Sequence, residues 1–203
     1  SVSVTQYYVT MSGSGRNAAS GCLKKLVAWK KRHPWAHVLR CHAKGIKDPL
    51  LRSVSGSNGI VFCAVRKGYE SESFLFFEAI EGIHPESAGS SSEKSCISFT
   101  VNNVKHVYCG PLYPAGRRRG ICQSTRNVID NLLNVLKGSG GTPRCIVRTW
   151  FYLSDIERDY TAFNKTRSDE YEKAGIDSGL LPASTGIGLN DFLNKQICCM
   201  AIA

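Results

Sequence analysis

Six arginines and four aromatic residues in the second half of the chain have the chemistry to recognise a flat, negatively charged molecule: Arg117, Arg118, Arg119, Arg126, Arg144 and Arg148, with Tyr108, Tyr113, Trp150 and Tyr152. A guanidinium offers a planar fork of donors that matches a carboxylate, and an aromatic face stacks on a ring. In RCIVRTWFYL, strand alternation puts Arg144, Ile146, Arg148, Trp150 and Tyr152 on one face and Cys145, Val147, Thr149, Phe151 and Leu153 on the other. Arg148 is therefore the arginine placed to meet a ligand. The run Arg117 to Arg119 reads as a solvated turn.

Two other chemistries are weak. Cys109 has His106 as its near histidine, but three residues along a strand turn the pair to opposite faces, which disfavours a thiol nucleophile with an imidazole base. Asp155, Glu157 and Asp159 crowd the start of a helix, where they complement its dipole. No Cys or His spacing suits a metal, and neither a metal nor a cofactor is expected.

The elements that must position these groups follow from periodicity. GCLKKLVAWKKRHPW is an amphipathic basic helix with Leu23, Leu26 and Val27 on its apolar side, ended by Pro34. GIVFCAVRKG and SFLFFEAIEGI read as two strands joined by a polar turn, and a Ser/Gly/Pro-rich linker runs to Ser95. Beyond it come strand CISFTVNN, strand VKHVYCGPLYP, helix CQSTRNVIDNLLNVLKG, strand RCIVRTWFYL, helix RDYTAFNKTRSDEYEKAG, a loop LLPASTGIGLND and strand ICCMAIA. The order ββαβαβ predicts an α+β domain over 96–203, a mixed β-sheet with two helices on one face. Residues 1–95 form a smaller α+β part. One reading makes its two strands a degenerate copy of the two strands after the linker.

The chain has 203 residues, 42% of them hydrophobic, enough for a substantial core. No run of eighteen apolar residues occurs, and SVSVTQYYVTMSGSG lacks the basic flank and apolar stretch of a secretory signal. Nine cysteines at irregular spacing suit reduced core thiols, so a cytoplasmic protein with no membrane association is expected. The net charge of +10 is concentrated between Arg16 and Arg52, where ten Lys or Arg face one acid, Asp48. Such a patch suits weak nucleic-acid binding, an anionic small substrate or a solvated basic face.

From Val101 to Ala203 the chain resembles the YjgF/RidA family, once called endoribonuclease L-PSP. The resemblance rests on VYCGPLYP, QSTRNVIDNLLNVLKGSG, VRTWFYLSDI, YTAFNKTRSDEY and LPAST. TWFYLSDIERDY and LPASTGIG are most similar to the chorismatases, which hydrolyse chorismate and carry such a domain at their C-terminal end. The resemblance implies a chorismate-mutase-like (YjgF/RidA) fold, a homotrimer or a pseudo-trimer, and a cleft between subunits that takes a small anionic ring metabolite. It also implies a pocket lined by Gly110 and Asn164. With Arg148, Trp150, Ser184 and Thr185 these are the candidate substrate-binding residues.

Two family positions depart from the pattern. Imine-hydrolysing members have an arginine after the Pro-Ala of the late loop and a glutamate in the last strand; here those positions are Ser184 and Met200. Serine brings no charge to a carboxylate, and methionine cannot orient water as a base. The expectation is a chorismatase-like protein that binds, and if active hydrolyses, a small cyclic acid. The alternative is a non-catalytic metabolite- or partner-binding member or a weak RNA binder.

Overall fold

The computed structural model describes residues 3–15, 17–46, 60–64, 72–87, 96–116, 120–176, 179–189 and 195–203. The Arg117–Arg119 run, Arg16, Lys47, Asp48, Arg52 and residues 88–95 of the linker lie outside them. The chain divides into two compact units, Ser1–Ser87 and Ala88–Ala203.

In the first unit, TQYYVTM alternates along strand β1 (Thr5–Ser14), so Tyr7, Val9 and Met11 turn toward the apolar core. Helix α1 (Ala18–Arg32) covers that face with Ala18, Cys22, Leu26 and Trp29, whereas Val27 stays 40% exposed. Trp29 meets Tyr7 and Phe77 edge-on, with ring centres 5.6 and 4.8 Å apart. Strands β2 (His37–Lys44), β3 (Ile60–Ala64) and β4 (Glu72–Glu81) complete a sheet in the order β1-β4-β2-β3. Only β2 and β3 run parallel. The two strands expected to form a hairpin, β3 and β4, are therefore not neighbours, because β2 lies between them.

A two-residue strand β5 (Glu86–Ser87) precedes the second unit. There, β6 (Cys96–Val101) and β7 (Val104–Leu112) pair antiparallel around Asn102 and Asn103, both at positive φ. Asparagine tolerates that conformation, which matches the twist of a two-residue hairpin. Helix α2 (Ile121–Gly138), strand β8 (Arg148–Leu153) and helix α3 (Ile156–Lys173) follow. The Asp155 side chain accepts a hydrogen bond from the Arg158 backbone N–H and caps α3. Strand β8 begins later than RCIVRTWFYL suggests, because Pro143 opens a 3-10 turn over Pro143–Cys145.

The segment expected as a loop, LPASTGIG, contains a further strand, β9 (Ala183–Gly188), parallel to β8. Its glycines look like loop residues but serve packing. A Cβ at Gly186 would come within 3.3 Å of Tyr160, and one at Gly188 within 2.7 Å of Ile156, both on α3. Strand β10 (Ile197–Ile202) lies between β7 and β8, giving the order β6-β7-β10-β8-β9. Both helices pack on one face, where Val128, Ile129, Leu132, Leu136, Phe163 and Tyr171 meet Cys109, Phe151, Leu153 and Cys199.

Strands β7, β8, β9 and β10, with sheet order β7-β10-β8-β9 and only β8 and β9 parallel, have the order and directions of β1, β2, β3 and β4, and α2 follows β7 as α1 follows β1; α3, between β8 and β9, has no counterpart among the described residues. The likeness between the halves thus runs through different elements from the strand pair that the sequence suggested. Strands β5 and β6 of the six-stranded sheet lie outside this match.

Candidate functional site

Because side chains alternate across a strand, the second unit's sheet sorts the candidate residues onto two faces. Away from the helices, one row crosses three strands: Met200 pairs with Trp150, and Trp150 with Thr185. Gly110 adjoins the row from β7. A Cβ there would lie 3.0 Å from the Met200 Cα and Cγ and 2.8 Å from the Cys199 carbonyl oxygen, so only glycine fits against β10. One step along β8 on the same face, the exposed Arg148 lays its guanidinium over the Trp150 ring at 5.0 Å. Its Nη2 donates to Thr185 Oγ1 at 3.5 Å. Cation and ring are held ready by the strand itself, an arrangement suited to a planar anion.

Ser184 and Asn164 are on the helix side. Thr149 Oγ1 donates to Ser184 Oγ at 3.2 Å, and Tyr171 OH donates to Thr149 Oγ1 at 3.2 Å. Burial pushes the Tyr171 phenol above its ordinary value, so it stays a protonated donor. Asn164 is half-buried on α3. The sheet separates this pair from Arg148, Trp150 and Thr185.

The wider set of cations disperses. Arg126 pairs with Glu170 at 3.4 Å between α2 and α3, and Arg144 donates from Nε to the Gly175 carbonyl at 3.3 Å. Tyr113 lines a separate cavity of about 450 Å³ with Asn131, Asn134 and Lys195. Cys109 is buried among the helix-side residues, while His106 stacks on Phe99 at 5.1 Å. Among the described residues no group of three or more His, Cys, Asp or Glu is placed to hold a metal. No described helix is long and apolar enough to cross a membrane.

One polar centre was missed from the sequence. In the first unit, on the face away from α1, the Arg40 guanidinium meets Glu78 at 2.6 Å, and both are largely buried. Gln6 Nε2 donates to the other carboxylate oxygen at 2.5 Å, and Arg40 Nη1 lies 3.3 Å from His42 Nε2. Burial, with help from the Arg40 charge, pushes His42 down to about 4, so its imidazole is neutral and accepts from arginine. Glu78 pairs with Arg40 on the neighbouring strand as Met200 pairs with Trp150. The signal lay in the wording FFEAI against CCMAI, which align Glu78 with Met200.

The basic segment is partly engaged. Lys25 and Lys30 donate to the Ser12 and Ala36 carbonyls at 2.7 and 2.6 Å. Burial lowers Lys30 from its ordinary value. A cavity of about 530 Å³ is lined by Ser12, Lys25, Lys44, Glu72 and Phe74 among others.

Fold and site together define an α+β protein with two helices on one face of a mixed sheet. Residues 85–203 match the model described as chorismatase FkbO/Hyg5-like, N-terminal, more than half of the chain, and the chain belongs to that family. The matching model is that of the N-terminal part, whereas the sequence resemblance pointed to the C-terminal end. Among solved structures, Rv2704 of the YjgF/YER057c/UK114 family from Mycobacterium tuberculosis is 17% identical. The match covers 60% of this chain and 98% of that one, with a TM-score of 0.46. Yeast Mmf1 is 20% identical over 59% of this chain and 91% of its own, with a TM-score of 0.46. NMB1025, a YjgF protein from Neisseria meningitidis, is 15% identical over 59% and 93%, with a TM-score of 0.48. No curated protein matches the chain.

Proposed function

We propose that the protein binds a small cyclic carboxylic acid, chorismate being the leading candidate, in a RidA-type cleft, and that it does so without the family's hydrolytic groups. The observation that carries this reading is the Arg148 guanidinium held 5.0 Å over Trp150 beside Thr185. The arginine fork takes a carboxylate, and the buried Trp150 ring beneath it holds the guanidinium in place. The row across the sheet contains Met200 in place of an acid and offers no base to activate water.

The two-faced distribution of the six residues bears on assembly. Arg148, Trp150, Thr185 and Gly110 cannot meet Asn164 and Ser184 through the sheet that separates them. A cleft using both groups needs the face of one copy and the edge of another. A homotrimer supplies that, and so does a pseudo-trimer in which related halves take part. The shared strand order of the two units supports the second form.

Calorimetric titration with chorismate tests the ligand. Binding should be measurable, and Arg148→Ala should weaken it by roughly 1.5–3 kcal/mol through loss of a charge-assisted contact. A parallel assay should find no pyruvate release. Failure of the native protein to bind chorismate removes this ligand, and release at ordinary enzymatic rates overturns the non-hydrolytic reading. Light scattering should show a trimer, or a monomer that still binds; a monomer that does not bind defeats both assemblies.

A further inference from the structure

Two of the nine cysteines face each other across the β6–β7 hairpin, and the candidate site uses neither. Cys96 of β6 pairs with Cys109 of β7 in the antiparallel register, and both are buried on the helix side of the sheet. The kind of pair follows from the strand beyond. Val107 donates its backbone N–H to the Ala203 carbonyl at 2.6 Å and accepts from the Ala203 N–H at 2.9 Å, so its polar groups point to β10. Every second residue of a strand repeats that orientation, and Cys109 therefore turns its N–H and C=O away from β6. Cys96 and Cys109 are thus a pair without mutual backbone hydrogen bonds, the kind in which Cα atoms stand about 4.5 Å apart and side chains come closest. A disulfide spans Cα separations of about 4.4–6.8 Å, so the two sulfurs can be bridged with little backbone movement.

The surroundings make one sulfur the attacking group. The Cys109 S–H donates to the Cys96 sulfur, and Ser139 Oγ, at the end of α2, lies 3.3 Å from it. The Lys105 ammonium, which donates to the Ser139 carbonyl at 2.8 Å, adds a positive charge nearby. Led by the Cys109 hydrogen bond, these groups bring the Cys96 thiol down to about 7 in spite of its burial. Cys109 moves the opposite way, because it donates to Cys96 and is itself buried. Cys199, a third thiol of this core, is held protonated by burial and pairs in register with Leu112 rather than with Cys109. A thiolate on one strand with a thiol directly opposite is the arrangement that a two-electron oxidant converts.

We propose that Cys96 and Cys109 form a redox-active dithiol that hydrogen peroxide oxidises to a cross-strand disulfide. The Cys96 thiolate attacks one peroxide oxygen, the O–O bond breaks, and hydroxide leaves, giving a sulfenic acid on Cys96. The Cys109 sulfur then attacks the Cys96 sulfur, the S–O bond breaks, and the departing hydroxide takes the Cys109 proton as water. Two thiols and one peroxide become one disulfide and two waters, with two electrons passing from the sulfurs to the peroxide oxygens. Peroxide is little larger than water, and among the described residues β6 is flanked on its outer side by the two-residue β5 alone, so local opening there admits it. Cys109 adjoins Gly110, whose backbone fits closely against Cys199 and Met200, so the bridge forms one residue from the candidate row. It needs no ligand in that site.

The test is peroxide treatment of the full folded chain, alkylation of the remaining thiols and tryptic digestion without reductant. Trypsin cuts after Lys94, Lys105 and Arg117, so Cys96 and Cys109 fall in separate peptides, 95–105 and 106–117. Mass spectrometry should find these two joined, lighter than their sum by two hydrogens, and dithiothreitol should separate them. Cys109→Ser should abolish the joined product and leave Cys96 as a sulfenic acid that dimedone captures. Cys96→Ser should leave Cys109 unoxidised. In the urea-unfolded chain, where the strands no longer hold the pair together, the joined product should lose its preference over other cysteine pairings. Alkylatable Cys96 and Cys109 in a chain whose exposed Cys145 is oxidised overturn the proposal. So does Cys96 joined instead to the 196–203 peptide that carries Cys198 and Cys199, or a Cys96–Cys109 product no more favoured in the folded chain than in urea.

Discussion

Glu78 in β4 and Met200 in β10 hold the same place in two sheets of the same strand order, and each faces a residue of the neighbouring strand that suits it: Arg40 beside the glutamate, Trp150 beside the methionine. The acid of the first unit is neutralised by its partner, and the second unit has an apolar sulfur at that point.

Breaking the first pairing should be costly. Glu78→Met leaves the Arg40 charge largely buried without its carboxylate, and such a loss destabilises by about 3–5 kcal/mol. Urea unfolding of native and variant protein measures it. A change under 1 kcal/mol would mean that water reaches Arg40 freely.

His42 should make stability depend on pH. Its pKa is about 4 when folded and about 6.5 when unfolded, so as pH falls the unfolded chain takes the proton first. The stabilisation is complete above about 6.5 and is lost as pH drops toward 4, by an amount of order 2 kcal/mol after allowing for partial exposure. Comparing unfolding midpoints at neutral and mildly acidic pH in the native protein and His42→Gln isolates this group from the carboxylates. An identical pH slope in both proteins would refute it.

Imine hydrolysis should be absent. Neither Ser184 nor Met200 can orient and activate water, and Met200→Glu alone should not restore turnover, since it places a carboxylate beside the Trp150 ring with no built contacts. A coupled assay with an amino-acid-derived imine checks both proteins. Turnover by the native chain would show that another group serves as the base.

RNA binding, if present, should be weak and steeply salt-dependent. Lys24, Lys31 and Arg32 are exposed on α1, whereas Lys25, Lys30 and Arg40 are occupied within the unit, so few cations remain to displace counterions. Filter binding at two salt concentrations reads the slope. Tight, sequence-selective binding at physiological salt would make nucleic acid the leading partner.

Much of the second unit was legible in the sequence because its signals are local. Val128, Ile129, Leu132 and Leu136 repeat at helical spacing and are all buried, and the alternation in RTWFYL put Arg148, Trp150 and Tyr152 on one face, as found. The phrases around Trp150 and Pro182 carried the family. Alternation also separated Cys109 from His106 correctly. What local pattern could not give was pairing between distant segments. LPASTGIG reads as a loop because glycine and serine favour turns, and it becomes a strand only because β8 offers backbone partners and Tyr160 and Ile156 of α3 occupy the space that side chains would fill. The separation of β3 from β4 likewise depends on β2, a strand that periodicity did not reveal.

The sequence by itself determined which residue types were present, the helices, the family, and the absence of arginine and glutamate at positions 184 and 200. The tertiary structure decided which distant side chains meet. It brought Arg167 of α3 to Ser184 across 17 positions, and Glu78 to Arg40 across 38. The physical reason is that a charge is placed by the element that carries it and by the packing around that element, and neither is written in the neighbouring residues of the chain.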